Sequence, residues 1–198
     1  MVITLIGYRG TGKSSIAPRL AERLQFDWID ADVELERRAG RSIREIFATD
    51  GEAEFRRLER AVLVDLLQHD RLVLAAGGGA VLNAETRRDF RAAGPVVWLQ
   101  ADVATIAARI AADASSAARR PNLTSAGTVA EIENVLRERE PLYREPATMV
   151  INTTGKAVEA IVDEILEAIP KPGFSESPAS SSPEAGLSEK PGFERGRP

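Results

Sequence analysis

The chain has 198 residues, enough for one α/β domain with its own core and some surplus. Lys and Arg number 26 against 30 Asp and Glu, and the net charge of −4 argues against a nucleic-acid footprint. Cysteine is absent, which excludes disulfides and thiolate metal sites; Met1–Gly7 lacks the basic region and apolar length of a signal peptide, and no stretch is long enough to span a membrane, so the expectation is a soluble cytoplasmic protein.

Residues 2–6 are a short apolar run ending in Gly7 and read as a buried strand. Lys13 to Leu24 reads as a helix with Ile16, Leu20 and Leu24 on one face, although Pro18 sits awkwardly in its second turn. Phe26 to Asp30 is a second strand, with Trp28 read as partly buried beside an acidic pair. Two helices follow, Val33 to Ala39 and Ser42 to Asp50, split by Gly40; Ser42 and Glu45 have capping-box spacing. Glu52 to His69 is a longer helix with Phe55, Leu58, Val62 and Leu66 as its buried stripe. Leu72 to Ala75 is a third strand running into Gly77-Gly78-Gly79, and Asn83 caps a helix through Ala92. Val96 to Leu99 is a fourth strand, and Asp102 caps a helix to about Ala112. Residues 113–126 read as a loop containing Arg119-Arg120-Pro121, after which Thr128 and Glu131 form a capping box for a helix to about Tyr143. Met149 to Ile151 is the fifth strand and Lys156 to Ile169 the last helix. Strands alternating with helices at this spacing imply an α/β fold, a parallel sheet with helices on both faces. From residue 170 the chain is rich in Pro, Ser, Gly and Glu, and is expected to be a disordered tail. Its repeated Lys-Pro-Gly-Phe, at 171–174 and 190–193, reads as low-complexity drift or as a pair of docking motifs.

Gly7-Tyr-Arg-Gly-Thr-Gly-Lys13-Ser14 matches G-x-x-x-x-G-K-[ST] in full, between a strand and a helix. Its glycines let backbone N–H groups converge on phosphate oxygens, and the helix N-terminus adds positive potential. Lys13 supplies a full charge for the β- and γ-phosphates, and the Ser14 hydroxyl can ligand Mg²⁺. This establishes nucleoside-triphosphate binding without naming the reaction. A small GTPase would need Asn-Lys-x-Asp, which is absent, and a motor ATPase would end its third strand on a carboxylate rather than glycines. Small-molecule kinases remain.

The carboxylate such a site needs is sought at the end of the second strand. Asp30 and Asp32, two apart on an extended segment, point the same way, so Asp30 suits the metal and Asp32 an acceptor hydroxyl, as hydrogen-bond acceptor or general base. The alternative is that Asp32 merely caps the helix starting at Val33. Arg56 flanks the buried face of its helix with Glu59 three residues on to orient it; Arg120 lies in the loop, where an arginine can close over a γ-phosphate; Arg139 sits near a helix end, and arginine grips carboxylate bidentately. His69, the single histidine, is given no role.

In order and spacing these motifs, namely the P-loop, Asp30-x-Asp32, Phe55-Arg56-x-x-Glu59, Gly77-Gly78-Gly79, Arg120-Pro121 and Arg139-x-Pro-Leu-Tyr143, resemble those of the shikimate kinases from residue 1 to about 168. The resemblance implies a three-layer α/β/α P-loop NTPase fold with a five-stranded parallel sheet of order 2-3-1-4-5, within a domain over residues 1–169. It implies a substrate-binding insert at about 32–60 and a mobile lid at about 112–126. It implies ATP and shikimate as substrates, Mg²⁺ as cofactor, monomeric behaviour, and neither nucleic-acid nor membrane partners. ATP would be held by Gly10, Thr11, Gly12, Lys13, Ser14, Ser15, Arg109, Arg120, Asn152 and Thr153, with Arg109 and Asn152-Thr153 flanking adenine. Shikimate would be held by Asp32, Arg56, Gly78, Gly79 and Arg139, the two arginines on its carboxylate. Lys13, Asp32 and Arg120 would be catalytic, with Arg119 a competitor for the lid role, and Ser14 and Asp30 would face the metal. A gluconate-kinase-like enzyme and a non-catalytic binding protein of the same fold are the alternatives, and a tail-recruited partner is compatible with either.

Overall fold

The computed structural model describes residues 1–112 and 129–169. Strand β1 (Val2–Ile6) is buried along its whole length and pairs in parallel with β3 (Leu72–Ala75) on one side and β4 (Val96–Gln100) on the other. Strand β2 (Asp27–Asp30) adds to β3, and β5 (Met149–Asn152) adds to β4, giving one five-stranded parallel sheet of order β2-β3-β1-β4-β5. Continuous apolar runs are what a sheet covered on both faces requires. The alternation of β1 divides the core: Val2 and Ile6 enter one apolar layer, Ile3 and Leu5 the other.

The second of these layers holds α1 (Lys13–Leu24) and α7 (Val158–Ala168), through Ile16, Leu20, Ile161 and Ile165. The first holds α2 (Ala31–Ala39), α3 (Ile43–Leu66), α4 (Ala84–Ala93) and, through Tyr143, α6 (Val129–Arg144). Helix α5 (Val103–Ala112) packs on α6 around Ile106 and Ile132. Each fully buried aliphatic side chain here is worth about 1.5–3 kcal/mol of hydrophobic transfer. No helix among the described residues is long and apolar enough to cross a membrane.

Several local expectations are met by named contacts. Ser42 and Glu45 form a reciprocal capping box, Asn83 accepts from the Glu85 and Thr86 amides, and Asp102 accepts from Thr105. The two helices expected on either side of Gly51 are present, since that glycine, at φ 80°, ψ 179°, breaks α3 in two. Other expectations need correction. Leu58 is only partly buried, while Glu59 and Leu63 join the buried stripe. Phe26 lies outside β2: its amide donates to Ala21 and closes α1. Trp28, expected partly buried, is 46% exposed because β2 is the edge strand. Pro18 is accommodated inside α1. The expected lid arginines Arg119 and Arg120, the Thr128 cap and the tail from 170 lie outside the described residues.

The insert is fastened by charge. Glu34 on α2 accepts from Arg37 and Arg38, and Arg38 also reaches Asp65 on α3 at 2.6 Å. The hydrogen bond from Arg37, then that from Arg38, holds the Glu34 carboxyl down from 4.5 to about 2. A pKa lowered by folding stabilises above the unfolded value, and that stabilisation is lost as pH falls through the folded value. Glu34→Gln is therefore expected to melt below the wild-type chain at neutral pH, with the gap closing between about 4.5 and about 2. Thermal midpoints of both proteins across that range check this, and a gap independent of pH would sink it.

Candidate active site

The site lies outside the carboxyl ends of β1, β2 and β3, where the chain turns from building one half of the sheet to the other. Residues 7–14 wrap from β1 into α1. Gly12 is the N-cap of α1 at φ 99°, with no side-chain cap, so the helix end offers its amides to an anion. Thr11 is buried and its hydroxyl donates to the Tyr8 carbonyl at 2.8 Å, fixing the loop. Lys13 Nζ reaches back over the loop and donates to the carbonyls of Gly7 and Tyr8 at 2.8 and 2.9 Å.

Asp30 joins this loop to the insert. Its Oδ2 accepts from Ser14 Oγ at 2.7 Å, and its Oδ1 accepts from the Asp32 amide at 3.0 Å. Asp30 is thus the N-cap of α2, which begins at Ala31. This removes the alternative that Asp32 is the cap, and it corrects the expectation that the two carboxylates share an extended segment. The physical reason is that Asp30 captures the amide two residues on, starting the helix earlier than Val33. Both carboxylates nonetheless line one cavity of about 510 Å³, together with Gly10, Gly12, Lys13, Ser14, Ser15 and Arg109. A hydroxyl and a carboxylate oxygen in contact, at the mouth of a phosphate cradle, are the hard donors that suit Mg²⁺, an ion that takes few protein ligands and completes its shell with water and phosphate.

At the nucleotide end, Arg109 donates to the Gly10 carbonyl and to Thr153, at 3.0–3.2 Å. Thr153 is fully buried and its hydroxyl also donates to Thr11. Thr153 is therefore a clamp between Arg109 and the loop. Asn152 lines a neighbouring cavity with Gln100, Asp102 and Thr154, its side chain accepting from the Thr154 amide. Lys156, Val158 and Ile161 line the first cavity as well. The sequence signal for them was present in the strand-to-helix turn after β5, but apolar residues there read as ordinary helix start.

A second cavity, of about 100 Å³, adjoins the first and is lined by Phe47, Phe55, Arg56, Gly78, Gly79 and Arg139 among others. It brings together four of the five residues expected to hold the acceptor, and Asp32 faces the neighbouring cavity. Arg56 is held by Glu59, at 2.7 Å, and by Glu52. Arg139 donates to the Gly78 carbonyl, and so does the buried Tyr143 hydroxyl, at 2.6 Å. Tyr143 in turn stacks on Trp98, ring centroids 5.8 Å apart, so the glycine turn is pinned from the sheet. The need for glycine at 79 is steric: a Cβ there would lie 2.6 Å from Arg56 Nη1. Gly79 has an ordinary negative φ, so alanine would leave the backbone intact and displace the guanidinium. Gly79→Ala is expected to keep its melting temperature yet raise the acceptor KM about tenfold, as Arg56→Ala would. Steady-state kinetics of the two variants check this; a normal KM in Gly79→Ala would mean that Arg56 is not needed where it stands.

A family model described as shikimate kinase matches residues 9–170. A shikimate kinase from Rhodopirellula baltica is 41% identical over 166 residues, covering 84% of this chain and 89% of the relative. The chain belongs to the shikimate kinase family. The shikimate kinase of Thermobifida fusca is 40% identical, over 85% of this chain and 95% of its own. Among solved structures, a shikimate kinase from Acinetobacter baumannii in complex with shikimate aligns with a TM-score of 0.78 at 36% identity, covering 84% of this chain and 90% of that one. The sheet order expected from the resemblance is the one found.

Proposed function

We propose that this protein transfers the γ-phosphoryl group of ATP to the 3-hydroxyl of shikimate, giving shikimate 3-phosphate and ADP on the route to chorismate and the aromatic amino acids. The observation that carries the reading is the junction of two cavities: one lined by the phosphate cradle, the other by two arginines, meeting at Gly78. Family membership supports the same acceptor.

In this reading Arg56 and Arg139 hold the acceptor carboxylate, and Asp32 accepts the proton of the attacking hydroxyl. The hydroxyl oxygen forms the new bond to γ-phosphorus, the bond to the bridging oxygen breaks, and its electron pair leaves with ADP. Such a transfer needs positioning and charge neutralisation more than covalent help. Lys13 supplies charge from the loop and Arg120 from the chain that follows α5. Ser14 and Asp30 hold Mg²⁺, which when bound neutralises phosphate charge. The catalytic unit spans residues 1–169 and works as a cytoplasmic monomer.

The test is ADP release from purified protein with Mg-ATP, comparing shikimate, gluconate and no acceptor. Release that requires shikimate is the expected result. Stimulation by gluconate alone would require the carboxylate grip to be reassigned, and ATP binding without any acceptor-dependent release would make the chain a non-catalytic binding protein.

A further inference from the structure

Among the described residues, Arg9 is the one besides Gly78 that lines both cavities. Nothing in the G-x-x-x-x-G-K-[ST] pattern asks for an arginine there, since position 9 is one of its variable places. The other cleft arginines are committed: Arg56 to Glu52 and Glu59, Arg109 to Thr153, Arg139 to Gly78. Arg9 differs. Its Nε is buried with no hydrogen-bond partner among the described residues, and its guanidinium lies 5.9 Å from the centroid of the Tyr8 ring. A buried guanidinium N–H without an acceptor is destabilising, and an anion is the acceptor that guanidinium matches best.

We infer that Arg9 is a further catalytic residue, one that holds the phosphoryl oxygens as the group passes between the cavities. The geometry assigns it a phosphate ester rather than a carboxylate, because it stands where donor and acceptor cavities join and Arg56 and Arg139 already occupy the walls beyond. It therefore contacts the γ-phosphate of ATP before transfer and the phosphate of the product after it. Arg9 stands beside the path of an in-line transfer, where its forked donors can hold the equatorial oxygens of the moving group and so favour the transition state.

The inference rests on the kinase reading, and the experiment separates the two. Arg9→Met and Arg9→Lys are compared with wild type for kcat, for shikimate KM, and for equilibrium binding of shikimate and of shikimate 3-phosphate by calorimetry. Arg9→Met is expected to lower kcat about 10- to 100-fold and to weaken binding of the phosphorylated product about tenfold, with shikimate binding within about twofold of wild type. Arg9→Lys, keeping the charge but not the fork, is expected to recover part of both. Equal weakening for shikimate and its phosphate would place Arg9 on the acceptor body instead and overturn the assignment. Unchanged kcat and product binding in Arg9→Met would reduce Arg9 to packing on Tyr8. In either case a wild-type enzyme releasing ADP with shikimate leaves the kinase reading standing. A wild-type chain that neither turns over nor binds the product sinks that reading and the Arg9 role with it.

Discussion

Lys13→Met is expected to lower turnover by about a hundredfold or more while the fold persists. The ammonium group already lies across the mouth of the loop, donating to the Gly7 and Tyr8 carbonyls at 2.8 and 2.9 Å. Those two bonds hold it over the space that the uncapped α1 N-terminus faces. A γ-phosphate entering there meets a full positive charge with little reorganisation, which is where electrostatic catalysis is largest. Methionine keeps the length and the aliphatic stem but neither the charge nor the donors. The loop loses its crosspiece as well, so ATP affinity should fall alongside kcat. The buried sheet does not depend on this side chain, and the far-ultraviolet circular dichroism should be unchanged. The check is kcat and ATP affinity measured on folded variant protein. A kcat within threefold of wild type would show that the loop amides and the arginines suffice, and would remove Lys13 from the mechanism.

How far the sequence carried the reading depended on whether a residue's role was local. The strands β1 and β3 and the start of α1 were legible because apolar runs ended in glycine beside a phosphate motif, all within a few positions. The capping box at Ser42 and the orientation of Arg56 by Glu59 were legible for the same reason, since both partners lie within one helical turn. The Asp pair was half legible. Its place at the end of β2 is clear from the sequence, but which carboxylate caps α2 turns on where the helix starts, and Asp30 starts it by accepting from the Asp32 amide. The contacts of the buried Thr153 with Arg109 and Thr11 are not legible in the sequence, because both partners lie far off along the chain. Arg9 is not singled out by the sequence because the motif leaves its position open, and only the meeting of two cavities gives its unpaired Nε a meaning. Local chemistry is written along the chain; the residues that join elements are visible only once the sheet order sets which loops meet.

Asp32→Asn is expected to lower kcat by about a hundred- to ten-thousandfold, with ATP affinity near that of wild type. The two aspartates can be separated because the structure gives them different attachments. Asp30 uses both oxygens on the protein, one on Ser14 Oγ and one on the Asp32 amide. Asp32 contributes that amide to the cap, and asparagine keeps it, so α2 should begin at the same residue. The insert is held besides by Glu34, Arg38 and Asp65, none of which touches the cavity lining. The substitution is therefore nearly isosteric and confined to the carboxylate facing the cavity. It removes the group able to take the hydroxyl proton and leaves an amide that can only donate or accept weakly. Asp30→Asn should act in the opposite sense. It disturbs Ser14 and the helix start, so its main effect should be a weaker, Mg²⁺-dependent affinity for ATP. Measuring kcat and nucleotide affinity at several Mg²⁺ concentrations in both variants decides the division of labour. Loss of ATP binding in Asp32→Asn, or a normal Mg²⁺ dependence in Asp30→Asn, would exchange their roles.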